Sequence, residues 1–167
     1  VKGKQIILGI DPGSIVTGYG VVSSESGDAT AVKWGVIRAA KSDPLPQRLH
    51  TIYRDLIELI DTCEPASVAV ERPFYGKNVG ALITMGQSAG TALLAAVEAG
   101  ADVFEYTPRE VKKSVVGNGA ASKEQVQRMV RMILGLKDSG EPLDATDALA
   151  VALCHENKIR NLAVLSG

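Results

Sequence analysis

Apolar positions in this chain first alternate at a spacing of two and then recur at three and four, so strands come first and helices are interleaved later. Runs at 5–10, 19–23 and 32–37, rich in Val, Ile and Tyr, follow one another through turn-like connections and predict an antiparallel meander. Two further runs, at 66–71 and 103–106, are separated from it and from each other by helical patterns, which implies right-handed parallel crossovers. A helix over 46–62 carries Leu49, Ile52, Tyr53, Leu56, Ile57 and Ile60 as one stripe. A second, over 78–99, holds Gly86, Gly90 and many alanines, small residues that permit close approach to another helix, either internal or across a dimer.

Thr107-Pro108-Arg109-Glu110 reads as an N-cap, a first-turn Pro and a capping-box Glu, and Ser122-Lys123-Glu124-Gln125 as another capping box. The stripe after Ser122 predicts Val126, Met129, Val130, Ile133 and Leu134 as buried. A last helix follows Pro142, with a frayed tail expected after Lys158. The sum is one α/β domain over 1–167, with a mixed five-stranded sheet flanked by helices.

Composition narrows the class. With 167 residues and 46% hydrophobic content the chain can bury a full core without staples. No apolar run is expected to reach the ~20 residues of a bilayer span, and Val1-Lys2-Gly3-Lys4 lacks the apolar stretch of a secretory signal, its first residue reading as a trimmed start. Cys63 and Cys154 are too few for a disulfide framework, so a reduced, cytoplasmic compartment and no membrane partner are expected. Only His50 and His155 are present, which argues against a Cys/His zinc site. The net charge of −1 hides an asymmetry: residues 72–137 hold nine Lys/Arg against five acids, and the remainder nets −5. Ordinary solvated helix faces explain such a split as readily as a phosphate backbone does.

The chemistry lies in four acids. The strand Ile6-Ile7-Leu8-Gly9-Ile10 runs into Asp11, and Ser67-Val68-Ala69-Val70 runs into Glu71. Asp144 and Asp147 stand three apart on the last helix, where side chains are neighbours. Singly, each reads as a solvated strand end or a helix-dipole partner. Together they are the oxygen set that hard divalent cations need, and two such ions activate water and stabilise the leaving oxygen of a phosphodiester.

Asp11-Pro12-Gly13-Ser14 through Thr17-Gly18 is the most specific local signal, and it has two readings beyond a plain turn. Actin-like ATPases and sugar kinases cradle nucleotide phosphate with a similar Asp-x-Gly-Ser/Thr turn, so this motif alone leaves that choice open. Arg72-Pro73-Phe74-Tyr75-Gly76-Lys77-Asn78 combines aromatics with flanking cations, a composition suited to base stacking beside phosphates. The alternative is that Phe74 or Tyr75 anchors the loop to the core. Cys154-His155 reads as packing plus a helix-end cation.

Ile-Leu-Gly-Ile-Asp-Pro-Gly-Ser-x-x-Thr-Gly-Tyr-Gly resembles the opening of the RuvC family of bacterial Holliday-junction resolvases. Glu71-x-x-Phe74 with Lys77-Asn78, Gly86-Gln87-x-x-Gly90, Phe104 to Lys112, Val115-Val116-Gly117 and Asp144-x-x-Asp147-Ala148-Leu149-Ala150 extend the likeness over roughly 6–155. The resemblance implies a ribonuclease H-like fold, a homodimer and paired cleavage of a four-way DNA junction. It implies Mg²⁺ or Mn²⁺, with two ions per site, and work alongside the RuvA–RuvB branch-migration complex. Asp11, Glu71, Asp144 and Asp147 match the family's metal-binding acids, and Lys112 and Lys123 its basic positions near the scissile phosphate. Phe74 matches the aromatic beside the branch point, with Tyr75, Arg72, Lys77, Asn78 and Lys113 as further expected DNA contacts. Arg72-Pro73 departs from the family pattern. An ATP-binding protein, a non-catalytic junction scaffold and a nuclease for RNA precursors are the rival readings.

Overall fold

The computed structural model describes residues 3–74, 78–137 and 140–165. Strands β1 (Gln5–Asp11), β2 (Val16–Glu25) and β3 (Asp28–Arg38) form the expected antiparallel meander, with β2 and β3 longer than the apolar pattern alone indicates. Helix α1 (Leu45–Cys63) leads to β4 (Ser67–Glu71), and α2 (Val79–Glu98) leads to β5 (Asp102–Tyr106). Both strands add parallel, giving the sheet order β3-β2-β1-β4-β5. Then come α3 (Pro108–Val116), α4 (Lys123–Leu134) and α5 (Leu143–Leu165).

The period of two along the strands divides the core. Leu8, Ile10, Val21, Val68 and Val70 face α1 and α2 together with Ile52, Leu56, Ala92 and Ala96. Ile7, Val22 and Ala69 face the other side, where α3, α4 and α5 contribute Val111, Val126, Val130, Leu149 and Leu153. The central strands are therefore covered on both faces, which is why they read as nearly unbroken apolar runs.

Both predicted capping boxes form, Thr107 with Glu110 and Ser122 with Gln125, each box satisfying two otherwise orphaned backbone N–H groups. Three expectations need correction. Helix α5 does not fray after Lys158 but runs to Leu165, because Ile159 packs on the core and Arg160 bonds Asn157 and the Gly27 carbonyl. On α4, Ile133 is exposed and Gln127 is buried in place of an apolar residue. Helix α2 is long and apolar enough on average to cross a membrane, contrary to the sequence reading. Its Ala89, Ala92, Ala95 and Ala96 nevertheless pack inward, while Ile83, Leu94 and Val97 are exposed on the opposite face.

Candidate active site

Asp11 and Glu71 end neighbouring parallel strands paired through Ile10 and Val70, so their side chains leave the same sheet edge side by side. The acidic pair of α5 reaches them because the strands beneath the first turns of that helix carry glycine at 9, 18 and 20. Gly9 pairs with Gly20, and Asp11 with Gly18. A Cβ at Gly9 would overlap the Ala148 carbonyl, one at Gly18 the Asp144 carbonyl, and one at Gly20 the Leu149 side chain. Bare backbone lets α5, itself alanine-rich at Ala145, Ala148 and Ala152, lie directly on the strands. Asp11, Glu71, Asp144 and Asp147 consequently line one cavity of about 450 Å³, joined by Lys112 from α3 and Lys123 from α4.

Charge is tightly managed there. Burial, then the nearby Glu71 and Asp147 charges, push the Asp11 carboxyl from its ordinary 3.8 to about 8. Glu71 is raised as well, by burial first and by Asp147, against the opposing pull of its hydrogen bond with Asp11. The two carboxyls are hydrogen-bonded to each other, and burial and the neighbouring charges make Asp11 the one that holds a proton more tightly. Lys123 Nζ stands 2.6 Å from Asp147 Oδ2, and that hydrogen bond raises the lysine. Buried Gln127 donates from Nε2 to Asp147 Oδ1 at 3.0 Å.

Among the described residues no three acidic, histidine or cysteine side chains close round a single point as ligands of one ion do. Two of the carboxyls are bonded to each other and a third is turned to an ammonium. The donor set itself, four carboxylates in one cavity, fits hard divalent cations, and the part of the rise at Asp11 that comes from the Glu71 and Asp147 charges is repulsion that such a cation would relieve.

The hydroxyls of the Asp11–Gly18 motif brace the turn itself. Thr17 Oγ1 is buried, donates to the Gly13 carbonyl at 2.7 Å and accepts from the Gly13 N–H at 3.3 Å. Ser14 Oγ accepts from Arg48 Nη1 at 3.0 Å. With Thr17 committed internally, the turn serves to fix Asp11 rather than to cradle a nucleotide, which disfavours the ATP-binding reading.

The remaining expected residues scatter more widely. Phe74 is 66% exposed, which rules out its anchoring the loop to the core. Arg72 lies 3.5 Å from Glu105 at the surface. Asn78 caps α2, accepting from the Ala81 N–H. Lys113, unlike Lys112, opens onto a separate groove with Glu110 and Lys158. Tyr75 and Lys77 lie outside the described residues. His155 is not a helix-end cation: it is mid-helix, buried at 2%, and bonded through Nδ1 to the Tyr106 hydroxyl at 2.7 Å. Burial, aided by the Lys158 charge, lowers it to about 4, so it is neutral. Burial also pushes the Cys154 thiol up to about 11, consistent with a packing role. Gln127 and Arg48 were not singled out by sequence reasoning. For Gln127 the available signal was a polar residue one turn beyond Lys123, among apolar neighbours.

The family model for crossover junction endodeoxyribonuclease RuvC matches residues 7–155. A protein of that description from Saccharophagus degradans is 48% identical over 162 residues, covering 97% of this chain and 93% of the relative. Another, from Geotalea uraniireducens, is 50% identical over 161 residues, covering 96% and 91%. Among solved structures, Thermus thermophilus RuvC in complex with a Holliday junction substrate superposes with a TM-score of 0.87 at 36% identity, covering 94% of this chain and 96% of that one. Sequence and fold agree over nearly the whole length, and the chain belongs to the RuvC family of crossover junction endodeoxyribonucleases.

Proposed function

We propose that this protein resolves four-way DNA junctions by hydrolysing phosphodiester bonds in two symmetry-related strands, using Asp11, Glu71, Asp144 and Asp147 to hold two divalent cations, Mg²⁺ or Mn²⁺. The observation that carries the reading is the meeting of these four acids with Lys112 and Lys123 in one cavity, although they come from segments more than 130 residues apart. When bound, the cations supply Lewis-acid activation of water and neutralise charge on the leaving oxygen. Asp11, Glu71, Asp144 and Asp147 would hold them as carboxylates, so the proton that Asp11 shares with Glu71 must leave to solvent.

Lys112 and Lys123 lie where ammonium groups can steady the charge that builds on the phosphate in the transition state. Exposed Phe74 stacks at the branch point, with Arg72, Tyr75, Lys77, Asn78 and Lys113 as further DNA contacts. Two copies are needed to cut two strands. The exposed apolar face of α2 supports a homodimer, because Ile83, Leu94 and Val97 lie uncovered there and Gly86 and Gly90 have open space above them. Membership of the RuvC family supports a partnership with the RuvA–RuvB branch-migration complex and a bacterial cytoplasmic location.

Incubation of the purified protein with a synthetic four-way junction, a linear duplex and an RNA–DNA hybrid, each with Mg²⁺ or Mn²⁺, tests the reading. Paired nicks confined to the junction are expected. Preferential cleavage of the hybrid would overturn the junction assignment in favour of an RNA-directed nuclease.

A further inference from the structure

Asp147 is gripped on both oxygens by one helix. Lys123 and Gln127 stand one turn apart on α4, the lysine on Oδ2 at 2.6 Å and the glutamine on Oδ1 at 3.0 Å. The two grips differ in kind. The Lys123 side chain is 57% exposed, so its ammonium can leave for water or for a phosphate. Gln127 is only 6% exposed and sits beside Val126 and Val130 of the core, so its amide cannot leave without opening the α4–α5 contact. A carboxylate accepts only, so the group turned to Asp147 is the amide NH₂. That donor is neutral and does not compete with a cation for the site. It leaves one oxygen of Asp147 fixed and the other available.

We propose that Gln127 is a positioning residue for the cleavage reaction, its buried amide holding Asp147 Oδ1 so that Oδ2, the oxygen Lys123 contacts, is the one offered to a divalent cation. The inference rests on the reading of Asp147 as a metal ligand. It also gives Lys123 a role distinct from that of Gln127: with a cation held at the site, the exposed Lys123 ammonium would be free to turn to a substrate phosphate, while the buried Gln127 contact would stay in place. Partners of this kind, which orient a ligand without touching the ion, typically affect metal affinity about 10- to 100-fold.

Gln127→Met and Gln127→Leu fill the space without the donor, and either suffices if the other fails to fold. Mn²⁺ binding to the DNA-free proteins is measured by calorimetry, alongside the Mn²⁺ concentration giving half-maximal junction nicking and the affinity for junction DNA. The expected result is Mn²⁺ affinity weaker by about 10- to 100-fold, a matching rise in the half-maximal concentration, and unchanged junction affinity. A residue serving only to pack α4 on α5 would lower the melting temperature without moving the metal dependence. Asp147→Asn is the reference. Wild-type metal dependence in the Gln127 variants, with binding lost in Asp147→Asn, overturns the positioning role alone. Wild-type Mn²⁺ binding in all three overturns the metal-site reading and this inference together.

Discussion

Neutralising Asp11 should stabilise the metal-free protein while abolishing its activity. In the fold Asp11 is raised from 3.8 to about 8, chiefly by burial and then by Glu71 and Asp147. Each unit of such a shift is worth ~1.4 kcal/mol, so at pH above about 8 the ionised group opposes folding by at most ~6 kcal/mol. Because Glu71 shares the same proton, removing Asp11 should recover roughly half of that, about 2–4 kcal/mol. Asp11→Asn has nearly the same shape and can still donate to Glu71.

For a chain of this size each kcal/mol moves the melting temperature by roughly 2–4 °C. The metal-free variant should therefore melt on the order of 5–15 °C above wild type near neutral pH. The pH dependence follows from the direction of the shift. Between the unfolded value of 3.8 and the folded value of about 8, the native state binds the extra proton. Stability from this group accordingly falls as pH rises through that window and stays low above it. The gap between variant and wild type should widen over the same range. Scanning calorimetry in chelator-treated buffer across that window is the assay, repeated with Mn²⁺, which should stabilise wild type more than Asp11→Asn. A variant that melts at or below wild type throughout, without metal, would refute the clustering of charge argued here.

Asp147→Asn should retain junction binding in gel shifts but lose nicking, since affinity comes from cations elsewhere; cleavage near the wild-type rate would remove Asp147 from the site. Phe74→Ala should leave the melting curve within about 0.5 kcal/mol of wild type, as its ring is exposed, yet weaken the productive complex by ~1–3 kcal/mol; normal cutting would dismiss the stacking role. Gly18→Ala places a methyl group against the Asp144 backbone, costing about 1–3 kcal/mol of stability and, through displacement of Asp144, on the order of 100-fold in cleavage rate. If the exposed face of α2 is the proposed dimer contact, Leu94→Asp should give monomers in sedimentation where wild type gives dimers, and abolish paired nicking without altering the acidic cavity; an unchanged dimer would move the interface elsewhere.

The amino-acid sequence by itself determines the order and type of the elements. Strand and helix periods are local, and capping boxes at Thr107 and Ser122 or an acid closing an apolar run need only a few neighbouring residues to be recognised. The acids were therefore legible as strand-end and helix-face candidates, and the family motif was legible as a string. Tertiary structure alone decided how they work together. The glycines at 9, 18 and 20 look like weak strand positions until α5 is laid across them, and that close approach is what brings Asp144 and Asp147 to Asp11 and Glu71. Asp11 retains its proton because burial and two charges from other segments act on it together. His155 is neutral for the same kind of reason, enclosed beneath Phe104 and Tyr106 of a distant strand. Gln127 broke the apolar stripe of α4, and only the facing helix explains it, because its partner is twenty residues away in sequence and one hydrogen bond away in space. Local pattern records what each segment can form, whereas desolvation and contact between remote segments set protonation, orientation and reach.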